Sequence, residues 1–340
     1  MRWRSVDIMH WMPYKRSALV LLTIAISCLD TFAQINNPQK PVLMGDWWEV
    51  ANNPDLGAYT TEEQQPVDFG IWQAADGTWQ LWSCIRHTKA GTNTRLFYRW
   101  EGQNLTDSHW KPMGIAMEAD TTLGEQSGGL QAPYVFREGN TYYMFYGGWD
   151  RICLATSTDG KNFNRVVNNG TTQLFTGPYR NSRDAMVIKE NGIYYCYYTG
   201  HTFEDGSIEY HGQSVVQPYQ AAIFCRTSDD KLHWSEPMMV SAGGAPENLD
   251  RWFGGDSECP FVVKKENYYY LFRNIKYGRE NLNYQYASKN PLNFGVGIDD
   301  YQVGTLPVAA PEIIYHDGQY YLAALNLDLD GIRISSLNWE

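Results

Sequence analysis

The sequence predicts an all-β protein, a five-bladed β-propeller with four-stranded antiparallel blades around a central channel. Three observations carry that expectation. An aromatic hairpin pattern recurs five times, a shorter turn motif follows most of the copies, and aromatic residues make up 15% of a chain whose mature part shows no long stretch of helical apolar spacing.

The hairpins are DFGIWQAADGTWQLW from Asp68, QAPYVFREGNTYYMFY from Gln131, RDAMVIKENGIYYCYY from Arg183, ECPFVVKKENYYYLF from Glu258 and AAPEIIYHDGQYYLAA from Ala309. Each begins with a short apolar run, turns at polar residues that usually include Gly or Asn, and resumes in an aromatic run, as a β-hairpin does. Their second strands align on Trp79, Tyr142, Tyr194, Tyr269 and Tyr320, about 60 residues apart on average, which is the spacing of propeller blades. TSTDGKNF (Thr156 to Phe163), TSDDKLHW (Thr227 to Trp234) and ASKNPLNF (Ala287 to Phe294) then lead through a turn to an aromatic, and NLTDSHW, ending at Trp110, is a looser version. Hairpin, third strand and turn into a fourth strand make one blade. Unit five has only GIRISSL (Gly331 to Leu337) after its hairpin, so the chain before Asp68 is expected to supply the missing outer strand and close the ring. No Pro/Ser/Gly-rich linker interrupts residues 34–340, which read as a single domain.

Residues 1–33 read as an export signal. Lys15 and Arg16 precede an apolar run from Ala18 to Ser27 that is too short for a permanent transmembrane segment, and Thr31-Phe32-Ala33 offers a cleavage pattern with Gln34 as the new first residue. Ala25-Ile26-Ser27-Cys28 is a looser match to a lipoprotein box, in which Cys28 would be acylated. Either reading places the mature protein outside the cytoplasm: periplasmic, secreted or lipid-anchored at the cell surface. Cys84, Cys153, Cys196, Cys225 and Cys259 form no CxxC pair, and the first four lie in apolar or aromatic strands, as buried free thiols do. The net charge of -11 argues against nucleic acid and anionic membrane surfaces as partners and suits neutral polymers such as glycans. Oligomeric state leaves no signature in the chain.

Asp68, Asp184 and Glu258 head the hairpins of units one, three and four, while units two and five open on Gln131-Ala132 and Ala309-Ala310. The innermost strand of each blade lines the axis, so these heads converge at one mouth of the channel. Clustered carboxylates raise one another's pKa, which lets one act as acid while another stays ionised as base, the division of labour that glycosidic cleavage needs. Taken singly, Asp68 reads equally well as a solvated strand acid. Glu258 lies in FGGDSECP, where two glycines permit close backbone approach and Asp256 is a nearby rival for the acid.

This arrangement resembles the five-bladed propeller glycoside hydrolases of family 43. The resemblance rests on an Asp opening unit one, an Asp opening unit three, Glu258-Cys259-Pro260 as E-x-P in unit four and Ala132-Pro133 in unit two, and it covers about residues 60 to 338. Arg183-Asp184 and Glu258-Cys259 also resemble the R-D-P and E-C elements of the related family 32. Phe69 and Ala185 stand where family 43 usually has proline, and the N-D-P-N-G motif of family 32 is absent, which points to a divergent or separate family of the superfold. The resemblance implies that Asp68 is general base, Glu258 general acid and Asp184 a carboxylate that tunes the acid and orients the sugar, with inversion at the anomeric carbon. Under the family 32 analogy Asp68 is instead a nucleophile. No cofactor is implied as required. Family 43 members often hold an ion through a last-blade His with no clear equivalent here, so a structural Ca²⁺ or other ion stays open.

For sugar recognition, Arg183, Gln131, Trp149, Arg86, His201 and Arg273 stand near strand ends that can reach the mouth, with Trp47, Trp48 and Trp72 as platform or core. The loops from Asp107 to Leu130 and from Phe203 to Gln217 are longer than a blade needs and are expected to shape subsites. The second carries Glu204, Asp205, Glu209 and His211, which read as ion ligands or as a solvated loop. Two other functions fit the pattern. A non-catalytic carbohydrate-binding propeller needs no acid triad, and a glycoside phosphorylase needs a basic phosphate pocket, for which Arg183 and Arg273 are the candidates.

Overall fold

The computed structural model describes residues 37–179, 182–201, 207–210, 213–216, 221–244 and 257–340. The export signal with Cys28, the loop residues Glu204, Asp205 and His211, the Glu209 side chain and Asp256 lie outside the described residues.

Strand β1 (Pro41–Asn52) precedes the first blade and belongs to the last. Blade one follows as β2 (Gln65–Gln73), β3 (Trp79–Arg86), β4 (Leu96–Gly102) and β5 (Lys111–Met117), from the axis outward. Blade two is β6 (Gln131–Glu138), β7 (Thr141–Gly147) and β8 (Arg151–Ser157), with two short strands, β9 (Asn164–Arg165) and β10 (Gln173–Thr176), both pairing with β8. Blade three opens with β11 (Ser182–Glu190) and β12 (Ile193–His201). A separate hairpin, β13 (Ser207–Tyr210) and β14 (Gln213–Val216), comes before its outer strands β15 (Ala221–Ser228) and β16 (Met238–Ser241). Blade four is β17 (Glu258–Lys265), β18 (Tyr268–Lys276), β19 (Leu282–Ser288) and β20 (Gln302–Leu306). Blade five is β21 (Glu312–His316), β22 (Gln319–Leu325) and β23 (Gly331–Trp339), completed by β1. Helix is confined to three single 3-10 turns among the described residues, none of them long enough to cross a membrane.

The ring closes where the sequence expects it to. Pro41 stands opposite Trp339 and Asn52 opposite Gly331, and beyond the strands Lys40 and Glu340 exchange backbone hydrogen bonds of 2.6 and 2.9 Å. One expectation needs correcting. The stretch from Asp107 to Leu130 is not an insertion throughout, because its Lys111–Met117 is the outer strand of blade one. An alternating small and apolar sequence, KPMGIAM, hid that strand from the hairpin pattern. The second long loop does hold extra structure, the β13–β14 hairpin.

The turn motifs explain how blades hold together. Phe163 of blade two meets Trp72 and Trp82 of blade one at 5.8 and 5.4 Å, and Trp234 of blade three meets Phe145 and Phe175 of blade two at 5.8 and 5.7 Å. Phe294 of blade four lies 6.1 Å from Tyr197 of blade three. Each motif thus wedges its aromatic into the preceding blade, with edge-on geometry that suits ring quadrupoles. Trp110 carries the looser motif of blade one back to blade five, where its backbone N–H donates to Val50. Trp72, Trp47 and Trp48 are accounted for in the same way. Trp72 is buried and donates to the Gly160 carbonyl at 2.7 Å, Trp47 lies under Arg333, and Trp48 packs edge-on against Tyr321. At the axis, the innermost strands of blades one and two approach so closely that a Cβ at Gly70 would meet the Pro133 carbonyl oxygen at 2.4 Å. Only glycine fits there.

Candidate active site

The innermost strands of blades one to four each carry a bulge, and blade five has the same left-handed kink just before β21. Asp68 (φ 36°), Ala132 (φ 41°), Asp184 (φ 58°), Cys259 (φ 46°) and Ala310 (φ 48°) all adopt left-handed backbone, and the ladder registers slip beside the first four. A left-handed non-glycine residue costs roughly 1–2 kcal/mol, and a bulge re-aims the side chain it carries. The consequence is a two-tier site. The bulge residues ring the channel and line a void of about 30 Å³, while Val67, Gln131, Arg183 and Glu258, each one residue earlier, line a cleft of about 560 Å³ above it. Asp68 and Asp184 border both spaces. Glu258 is therefore not in line with the two aspartates, as stacking the hairpins at their first acids suggests. It occupies the place of Arg183, and Cys259 fills the bulge of blade four.

Hydrogen bonds join the three acids. Arg183 pairs with Glu258 Oε1 and stands 3.7 Å from Asp184 Oδ2, so one guanidinium bridges two carboxylates. Tyr277 donates to Glu258 Oε2 at 3.0 Å, and its oxygen lies 3.1 Å from Cys259 Sγ. The thiol in turn donates to Asp68 Oδ1 at 3.3 Å. Tyr277 thus gives its one hydrogen to Glu258 and Cys259 gives its one to Asp68, and the two donors meet at a polar contact between the acid and the aspartate. The Cys259 N–H is shared between Asp184 Oδ2 at 3.3 Å and Thr199 Oγ1 at 3.1 Å, while Asp184 Oδ1 is buried without a hydrogen-bond partner among the described residues.

Electrostatics follow from this crowding. Burial, then the charge of Glu258, pushes the Asp68 carboxyl up, against the opposing pull of Arg95, the Cys259 thiol and Arg86. Burial and then Asp68 push Asp184 up to about 7, with Arg183 opposing. The two aspartates therefore keep a proton between them toward neutral pH. Burial works against the charge of Arg183, but Glu258 and Asp184 more than offset it and its proton is held above the usual range. Burial and the neighbouring acids push Cys259 well above an ordinary thiol, so it stays protonated and a donor. One ligand atom each from Asp68, Asp184 and Cys259 lie within 4.8 Å of one another, close enough to share a cation, although a protonated thiol is a poor ligand.

The expected binding residues divide. Gln131 and Arg183 line the cleft beside Arg86, and together with Trp149 and His201 they also line a second cleft of about 660 Å³ that meets the first at Glu258. His201 Nε2 stands 3.4 Å from Arg183 Nη1. Arg273 is the exception. It is fully buried, donates to Ser241 Oγ at 2.9 Å and the Gly243 carbonyl at 2.7 Å, and lies over Tyr286, so it ties blade four to the end of blade three rather than serving the cleft. Strand alternation explains this, because Arg273 is one residue short of Asn274, which pairs with Glu258 at the strand head. Arg95, Tyr277 and Cys259 were not readable as site residues. Arg95 lies beyond the start of a third strand, which the hairpin pattern does not reach, and Tyr277 follows the end of β18.

No family model matches the sequence, and no curated protein matches it. Solved structures do match. A thermostable family-43 glycoside hydrolase superposes with a TM-score of 0.58 at 18% identity, covering 82% of this chain and 90% of the other. The β-xylosidase RS223 gives 0.56 at 14% identity, with 82% and 94% covered. A GH43_1 enzyme from Xanthomonas citri complexed with xylose gives 0.56 at 14% identity, with 86% and 90% covered. At such identities the likeness is one of fold, a propeller like those of the family-43 glycoside hydrolases.

Proposed function

We propose that the protein is a glycoside hydrolase in which Glu258 is the general acid, Asp68 the general base and Asp184 the carboxylate that tunes them. The observation that carries this reading is the meeting of three carboxylates from blades one, three and four at the floor of one cleft of about 560 Å³. Arg183 and Tyr277 fix both oxygens of Glu258, which suits a group that must present its proton to a leaving oxygen in one direction. Asp68 lies deeper, oriented by the Cys259 thiol, where it can take a proton from an attacking water. Asp184 holds one oxygen against the Cys259 N–H and leaves the other for a sugar hydroxyl, which would satisfy a buried acceptor now unpaired. Solved structures of the same fold whose names specify a β-xylosidase and a xylose complex support this class of chemistry.

With Asp68 acting through water, the reaction inverts the anomeric carbon. Glu258→Ala should lose about 10³-fold on unactivated glycosides yet keep most activity on aryl glycosides with acidic leaving groups, which need no proton. Equal loss on both would remove Glu258 from the acid role. Proton NMR of the first-formed sugar checks the stereochemistry: retention would make Asp68 a nucleophile. We also propose that the chain is exported by residues 1–33. N-terminal sequencing of the mature protein should give Gln34, or a lipid-blocked Cys28, and an intact Met1 would contradict export by cleavage.

A further inference from the structure

The cleft gathers five cations against the carboxylates of Asp68, Asp184, Glu258 and Glu280, although the chain is acidic overall. Its lining holds Arg86, Arg95, Arg183, Lys276 and Arg279, in a protein of net charge -11. Three of these cations have carboxylate partners: Arg183 in Glu258 and Asp184, Lys276 in Glu280 at 3.4 Å, and Arg279 in Asp328 at 2.5 Å. Among the described residues, two do not. There Arg86 donates to the neutral Gln65 Oε1 alone, at 3.0 and 2.7 Å, and Arg95 lies over the Trp149 ring at 4.8 Å with its Nη1 buried and unbonded.

Their placement makes this costly for the fold alone. Arg86 and Arg95 stand opposite one another one step beyond the last ladder pair, Ile85 and Leu96, so two like charges face across adjacent strands. Such a pair is destabilising, and a buried N–H without an acceptor costs about 1–3 kcal/mol more. Both arginines act through space on Asp68, yet they leave its carboxyl raised, so holding the base ionised is not a sufficient account of them. Arg95 also borders both clefts, and Trp149 beneath it lines the second.

We propose that Arg86 and Arg95 form an anion subsite and that the saccharide cut here carries an oxyanion, a uronate carboxylate or a sulfate ester, on a unit adjoining the cleaved bond. A planar guanidinium fork matches both groups bidentately, and an oxyanion would neutralise the facing charges and satisfy Arg95 Nη1. The inference rests on the glycosidase reading, and its test separates the two.

Calorimetric titrations of the full chain carrying Glu258→Gln, which suspends turnover, would compare two matched pairs: a uronate oligosaccharide against its methyl ester, and a sulfated oligosaccharide against its desulfated form. The anionic member of one pair should bind about tenfold tighter at low salt, with the advantage shrinking as salt rises, and the pair that responds identifies the oxyanion. Adding Arg86→Gln and Arg95→Gln should bring the ratio within about twofold, while Arg95→Lys, which keeps the charge and loses the fork, should leave it intermediate. Should the double variant not fold, the salt-dependent preference of the single variant still decides. No preference in either pair overturns the proposal. Arginine-dependent binding of inorganic phosphate alone, without preference in either pair, also overturns it, in favour of a free oxyanion co-substrate as in phosphorolysis. Preference for the anionic sugar in a chain whose wild type cleaves nothing would keep the subsite and dismiss the glycosidase reading.

Discussion

Cys259 ties the proposed base to the proposed acid. Its thiol bond to Asp68 favours the ionised carboxyl, so Cys259→Ala should raise the Asp68 pKa and move the acidic limb of the rate profile to higher pH, with Cys259→Ser restoring it. An unmoved limb would reduce the thiol to filler. Asp184 makes a different prediction. Its carboxyl is near 3.8 in an open chain and about 7 in the fold, so the native state holds a proton that the unfolded state has released. The contribution of Asp184 to stability is then full below about pH 3.8 and is lost as pH rises through about 7. Asp184→Asn cannot titrate, so its Tm should gain on the wild type between pH 5 and pH 8. Parallel Tm curves would contradict the raised pKa. The sequence offers Asp68, Asp184 and Glu258 as a set because acids at strand heads are conspicuous against Gln131 and Ala309. It offers no such signal for Tyr277 or Arg95, whose importance comes from where a strand ends rather than from any pattern they belong to.

At the scale of elements, the bulged inner strand is the unit that builds the site. The same backbone kink recurs in five blades, with acids in two, a thiol in one and alanine in two. The alanines keep the strain without a polar role, so Ala310→Gly should stabilise the protein by about 0.5–1 kcal/mol in urea denaturation, because glycine adopts left-handed backbone freely and only its unfolded-state entropy opposes the gain. Destabilisation would mean that the alanine methyl packs in the channel by more than the strain it relieves. Hairpins were legible because their period of two and their Gly or Asn turns are local. The bulge was not, since a one-residue slip leaves the apolar pattern intact while moving Glu258 out of line with the aspartates. The same locality hid β5, whose register comes from β4 and not from its own alternation.

For the whole molecule, closure is the structural problem and the aromatic wedges are its answer. Trp339, in the last strand, packs 4.7 Å from Tyr270 of blade four and 5.6 Å from Tyr320 of its own blade, where the ring's two ends join. Trp339→Ala should cost about 3–5 kcal/mol in chemical unfolding, a penalty at the level of a buried core tryptophan. A loss under about 1 kcal/mol would place closure in the backbone ladder instead. The five-fold count was legible because the hairpin repeats five times in sequence, whereas the channel's contents depend on which blades face one another across it, and no local pattern encodes that. The ring brings Asp68, Asp184 and Glu258 together, and the central claim is that together they cut a glycosidic bond. The most direct test is release of reducing sugar from a panel of neutral and acidic polysaccharides by the wild type and by Asp68→Asn, Asp184→Asn and Glu258→Gln. The expected result is cleavage of at least one polysaccharide by the wild type and a loss of about 10³-fold or more in each folded variant. Cleavage at wild-type rate by any of the three, or a wild type that binds the saccharide and leaves it intact, would contradict the account.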